Sequence, residues 1–245
     1  MKIGILQADS VREQFRKEFG DYPAMFATLL NRVSEQPLTL VTYSANDLEF
    51  PEHPEECDGY LITGSRYSAY EQLPWIAGLS DCVQKIVAAN KKLVGICFGH
   101  QLIAQVYGGK IGQAAQGWGV GVGSAQLTPD NSENSLALLY SHQDQVFKPP
   151  LGAQVFASSD FCPVAGFSLG DNVLTFQGHP EFTRAYARKL MDLRRELLGE
   201  AVYLAGIKSL EKGTDEVMVA KWILDFFSPN WLKEDGSKED RLKDD

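Results

Sequence analysis

Four short apolar runs, separated by helical stretches, restrict the folds open to this chain more than any other feature. Lys2-Ile3-Gly4-Ile5-Leu6, Leu38-Thr39-Leu40-Val41-Thr42-Tyr43, Gly59-Tyr60-Leu61-Ile62 and Leu93-Val94-Gly95-Ile96 read as strands. Helical spacing fills the gaps up to about Val33 and over residues 76–90, and His100 to Tyr107 reads as a further helix. Strand and helix in alternation bury a parallel sheet between two helical layers, so the expected fold is α/β with an open, mostly parallel sheet flanked by helices. The second half is β-rich. From Gly119 onward, runs such as VGVGSAQL, AQVFAS and NVLTFQG are broken by Gly, Pro, Asn and Asp, and two helical stretches follow near 183–198 and 214–227. One domain over 1–228 is expected, with a charged, mobile tail over 229–245, since the last thirteen residues hold four basic and six acidic side chains.

Charge and cysteine usage remove several function classes. A formal charge of -9 argues against a nucleic-acid partner, because neutralising phosphates needs clustered Lys and Arg. The N-terminal MKIGILQADSVREQ has too short an apolar stretch for a secretory signal, and no segment approaches a membrane span, so no membrane partner and a cytoplasmic location are expected. The four cysteines, Cys57, Cys82, Cys97 and Cys162, form no CxxC pair, which signals neither a zinc site nor a disulfide framework.

Cys97 stands apart from the other three. In GICFGHQ, residues 95–101, it lies between two glycines directly after an apolar strand and before a helix. G-x-C-x-G at such a turn is the thiol version of a nucleophile elbow, whose small flanking residues permit a strained bend. The helix N-terminus favours thiolate over thiol, and the backbone N–H of Phe98 is placed to bind an oxyanion. Packing explains the spacing of Cys97 alone equally well, because a buried cysteine behaves as a small hydrophobe. A nucleophile also needs an oriented base. His53 falls in the polar loop PEHPEE, His100 points along the elbow helix, and His142 has the polar neighbourhood YSHQDQV. His179 in FQGHPEF is the best candidate, because it ends a β run and Glu181, two positions on, shares its face and can orient the ring.

GICFGHQ together with GHPEF at 178–182 resembles the class I, triad-type glutamine amidotransferases over roughly residues 1 to 195. The resemblance implies a flavodoxin-like fold with Cys97, His179 and Glu181 as a catalytic triad. ITGS at 62–65 is similar to the oxyanion-loop region, implicating the backbone of Gly64 or Ser65 beside Phe98. SHQDQV at 141–146 resembles the substrate-carboxylate loop, implicating Ser141, His142 and Gln143, and Gln101 matches the motif glutamine that contacts substrate. The loop TGSRYSAYEQLPWI departs from the paired-glycine, proline-containing version of many members. It is closer to stand-alone members such as the plant γ-glutamyl peptidases, as is GGKIGQAAQGWGVGV, and the chain also resembles the glutaminase domain of GMP synthase.

The activity implied is hydrolysis of a γ-glutamyl amide, either glutamine or another γ-glutamyl compound. It runs through a glutamyl thioester, releases glutamate and ammonia or an amine, and requires no metal or organic cofactor. No synthetase domain is expected after the charged tail, so amide transfer would need a separate ammonia-accepting synthetase as partner. Two other readings compete: a non-catalytic ligand-sensing or regulatory subunit on the same fold, and a cysteine-based stress or redox protein. The intact Cys, His and Glu argue against both.

Overall fold

The computed structural model describes residues 1–128 and 134–228; the tail expected over 229–245 lies outside the described residues. The strands in chain order are β1 (Lys2–Gln7), β2 (Thr39–Ser44), β3 (Gly59–Ile62), β4 (Lys92–Ile96), β5 (Lys110–Gln113), β6 (Gly119–Leu127), β7 (Ser135–His142), β8 (Asp144–Lys148), β9 (Ala153–Ser158), β10 (Gly166–Leu169) and β11 (Val173–Phe176). Among the described residues, nine of them form one sheet in the order β2-β1-β3-β4-β11-β10-β9-β6-β7, and β5 pairs β8 apart from it. The five strands from β2 to β11 run parallel. From β11 to β7 every pairing is antiparallel, which is where the β-rich second half goes.

Period-2 alternation decides which helices cover which face. Ile3 and Ile5 of β1, with Val94 and Ile96 of β4, are buried against Phe26 and Leu30 of α2 (Tyr22–Val33) and Ile223 of α8 (Glu216–Phe227). The intervening Leu6, Tyr60, Ile62 and Leu93 face α3 (Pro74–Ala88) and α4 (Phe98–Val106) through Leu79, Val83, Leu102 and Ile103.

Three local outcomes differ from the sequence reading. The helical stretch ending near Val33 is two helices, α1 (Glu13–Phe19) and α2, because Gly20 takes φ 75° and Asp21 then caps α2 by accepting from the Tyr22 N–H. The stretch near 183–198 is likewise split, into α5 (Arg184–Leu193) and α6 (Arg195–Leu198). A further helix, α7 (Glu200–Ser209), was not expected at all. Its apolar residues do not gather on one face, Leu204 is exposed, and it meets β6 where Gly206 lies close against Val120 and where the Ser209 hydroxyl accepts the Val122 N–H at 2.8 Å.

Candidate active site

The site lies just beyond the carboxyl ends of β1, β3, β4 and β11. Cys97 follows β4 with φ 52° and ψ -100°, a left-handed conformation unusual for a residue with a Cβ. Its glycine neighbours make the turn sterically feasible. A Cβ on Gly99 would lie 2.8 Å from the Cβ and carbonyl oxygen of Ile62, and one on Gly95 would lie 2.8 Å from the Gly99 backbone. The Cys97 N–H donates to the Phe176 carbonyl at 2.8 Å, tying the elbow to β11. Phe98 opens α4, so its N–H belongs to the first turn, where no helical acceptor exists.

Beyond β11 the chain leaves the sheet, and His179 is fixed by a single bridge in which its N–H donates to the Leu139 carbonyl of β7 at 2.8 Å. The pair His179 and Glu181 therefore sits in a loop rather than on the strand whose alternation first suggested it. Glu181 still reaches the ring, with Oε1 2.7 Å from Nδ1, which leaves Nε2 for proton transfer in the pocket that His179 lines with Cys97. The imidazole stacks on Phe182 with centroids 3.8 Å apart. Burial opposes a charge on His179. Attraction to Glu181 and Cys97, with the hydrogen bond to Glu181, outweighs it and pushes the pKa up to about 10, which favours the protonated ring.

Gly64 closes the other side of the dyad, since a Cβ there would stand 2.7 Å from His179 Cε1 and 3.6 Å from Cys97 Cβ. Ser65 lines the same pocket as Cys97 and His179, and its hydroxyl donates to the Ala8 carbonyl at 3.3 Å. Ser141 lines that pocket too, where its Oγ accepts from Arg194 Nη1 at 2.8 Å. Gln101, His142 and Gln143 are not among the lining residues. The Gln101 amide donates to the Asp144 carbonyl at 2.7 Å and to the Gln177 side-chain oxygen at 3.1 Å, bracing the start of β8 and the end of β11 against α4. His142 lies on the strand face opposite Ser141, packed against Tyr140 and Phe161, and burial lowers its pKa to about 4. Gln143 accepts the Ala114 N–H through its carbonyl.

The remaining candidates are occupied elsewhere. His100 is fully buried with Nδ1 2.9 Å from the Thr175 hydroxyl, burial lowers its pKa to about 3, and His53 is exposed. Cys57, Cys82 and Cys162 are buried free thiols; burial raises all three pKa values, Cys82 to about 11 and Cys162 to about 12.

Sequence motifs missed part of the pocket wall. Asp9, just past β1, holds Arg66 through both carboxylate oxygens at 2.7 and 2.8 Å. Arg194 follows α5, its guanidinium 5.4 Å from the Trp118 ring centroid, and Tyr186 and Leu190 line the pocket with it. The spacing of Tyr186, Leu190 and Arg194 was a usable signal, because a cation at i+8 on an apolar helical stripe points inward with that stripe.

Comparison with known proteins adds an independent line. The family described as glutamine amidotransferase class-I matches residues 22–192. "Gamma-glutamyl peptidase 3" of Arabidopsis thaliana is 35% identical over 204 residues, covering 78% of this chain and 81% of the relative. A "putative glutamine amidotransferase-like protein" of Schizosaccharomyces pombe is 31% identical over 241 residues, covering 91% of this chain and 97% of that one. A solved glutamine amidotransferase from Thermotoga maritima superposes with a TM-score of 0.70 at 19% identity, covering 95% of this chain and 98% of the other, a likeness of fold.

Proposed function

Because the chain belongs to the class-I glutamine amidotransferase family, we propose that it is a cysteine hydrolase that cleaves the side-chain amide of a γ-glutamyl compound. The observation that carries this reading is the positive-φ turn of Cys97 in the same pocket as a His179 ring whose Nδ1 Glu181 holds at 2.7 Å.

The Cys97 sulfur attacks the δ-carbonyl, and the developing oxyanion meets the N–H groups of Phe98 and of the Gly64–Ser65 segment. His179 gives its proton to the departing nitrogen, and the C–N bond breaks to leave a glutamyl thioester and free ammonia or amine. The neutral ring then takes a proton from water as that water attacks the thioester. Glutamate departs, and the proton that passed to His179 restores the resting pair. Glu181 orients the ring and stabilises its charge without itself transferring a proton. Arg194 and Ser141 supply a charged and a neutral donor for the α-carboxylate of the glutamyl group.

The pure protein, incubated with glutamine and a panel of γ-glutamyl amides, is expected to release glutamate unaided, whereas Cys97→Ala releases none while keeping its circular dichroism spectrum. Turnover of glutamine only when cell extract is added would favour an amidotransferase subunit that passes ammonia to a partner.

A further inference from the structure

Asp9 lines the same pocket as Cys97 and His179 and is only 5% exposed, yet its carboxylate has nothing left to offer a ligand. Oδ1 accepts the Ser10 N–H at 2.8 Å and Arg66 Nη2 at 2.7 Å, while Oδ2 accepts the Arg66 N–H at 3.0 Å and Arg66 Nε at 2.8 Å. Those donors fill the lone-pair sites of a carboxylate. A saturated, buried anion beside a reaction centre holds part of the protein in place, and what Asp9 holds is the segment after β3. It grasps Arg66 by backbone and side chain together, through charge-assisted bonds that fix the peptide itself as well as the tip of the side chain. Asp9 is pinned in turn, since the Gln7 amide donates to its carbonyl at 3.0 Å.

The segment between the two anchors is the part that abuts the site. Thr63 is tied back to β1, its N–H donating to the Leu6 carbonyl at 3.2 Å and its hydroxyl accepting the Ala8 N–H at 3.0 Å. Arg66 is tied by Asp9. Between them, Gly64 lies against His179 and Cys97, with no side chain to restrict its peptide. Among the described residues, the N–H groups of Gly64 and Ser65 have no acceptor, so the two donors are free for an oxyanion.

Resting on the hydrolase reading above, we infer that Asp9 is a positioning residue: by clamping Arg66 it fixes the orientation of the Gly64 and Ser65 N–H groups beside Cys97, and acts on the transition state without touching substrate.

The test measures kcat and KM for glutamine and γ-glutamylglycine, and the rate of Cys97 alkylation by iodoacetamide, in wild type, Asp9→Ala and Asp9→Asn. In Asp9→Ala, kcat is expected to fall on the order of 10²-fold with KM within about twofold, the pattern of an interaction made in the transition state. Alkylation of Cys97 is expected to keep its rate, because displacing iodide from carbon forms no oxyanion. Asp9→Asn keeps the size and one acceptor for the Arg66 N–H, so it is expected to recover part of kcat, and it carries the test if Asp9→Ala loses its circular dichroism spectrum. A raised KM at unchanged kcat would make Asp9 a substrate-binding group and overturns the inference. So does an alkylation rate that falls in step with kcat, or unchanged kinetics in the folded variants; each leaves the hydrolase reading standing. Failure of wild type to release glutamate from either compound overturns the hydrolase reading and the inference with it.

Discussion

At Cys97 the backbone adopts φ 52° and ψ -100°, which costs a residue with a Cβ on the order of 1–3 kcal/mol. Ala keeps the Cβ and Gly does not, so Cys97→Gly is expected to be about 1 kcal/mol more stable than Cys97→Ala in urea, with both variants inactive. Equal urea midpoints would show that the turn stores no strain at this position. The His179 and Glu181 pair has its own signature. The folded pKa of His179 is raised from 6.5 to about 10, so the stability it adds is full below pH 6.5 and is lost as pH rises through 10. Glu181→Gln removes the anion behind that shift; the stability gap between wild type and variant is expected to be widest near pH 6 and to narrow toward pH 10. A gap independent of pH would contradict an imidazolium held by Glu181. His179→Ala is expected to lower kcat by roughly 10²–10⁴, more than Glu181→Gln does, because only the imidazole transfers protons.

At the scale of elements, the site depends on α4 lying close against β3 and on the loop after β3 lying close against His179. Gly99→Ala drives a Cβ into the backbone of Ile62, a mismatch costing about 1–3 kcal/mol of overpacking, and is expected to lower stability first. Gly64→Ala presses on His179 Cε1, which Phe182 backs from its own side, and is expected to cut kcat tenfold or more with a smaller loss of stability. The same loss pattern in both variants, read by urea titration and steady-state kinetics, would contradict this division. The elbow was legible in the sequence because its causes are local: two glycines, an apolar strand and a helix within a dozen residues. The His179 and Glu181 pairing was legible too, although the strand alternation used to reach it was the wrong cause. It depends on a bridge to Leu139, a partner 40 positions away that no short-range pattern reveals. Helix α7 left no trace because a close approach at Gly206 and a hydrogen bond to the Ser209 hydroxyl, rather than an apolar stripe, hold it to β6.

In the whole molecule the chain runs from β1 to β2 on one side and returns to β3 on the other, and the pocket opens at the carboxyl ends around that reversal, where open α/β sheets place their ligands. The parallel half of the sheet was readable from alternating periods. The antiparallel half was not, since its pairings are between distant runs, and it supplies Ser141 and the anchor for His179. The charged wall escaped for a related reason: Asp9, Arg66 and Arg194 come from three separate segments and meet only in the folded chain. All of these parts converge on one claim, that Cys97 carries the glutamyl group between the two halves of the reaction. Acid quenching of the protein in turnover with a γ-glutamyl amide, followed by mass spectrometry of its peptides, tests it most directly. The account predicts one glutamyl adduct on the peptide containing Cys97, its loss on hydroxylamine treatment as expected for a thioester, and no adduct in Cys97→Ala. Glutamate release by Cys97→Ala at the wild-type rate, or an adduct on Cys57, Cys82 or Cys162 in its place, would contradict it.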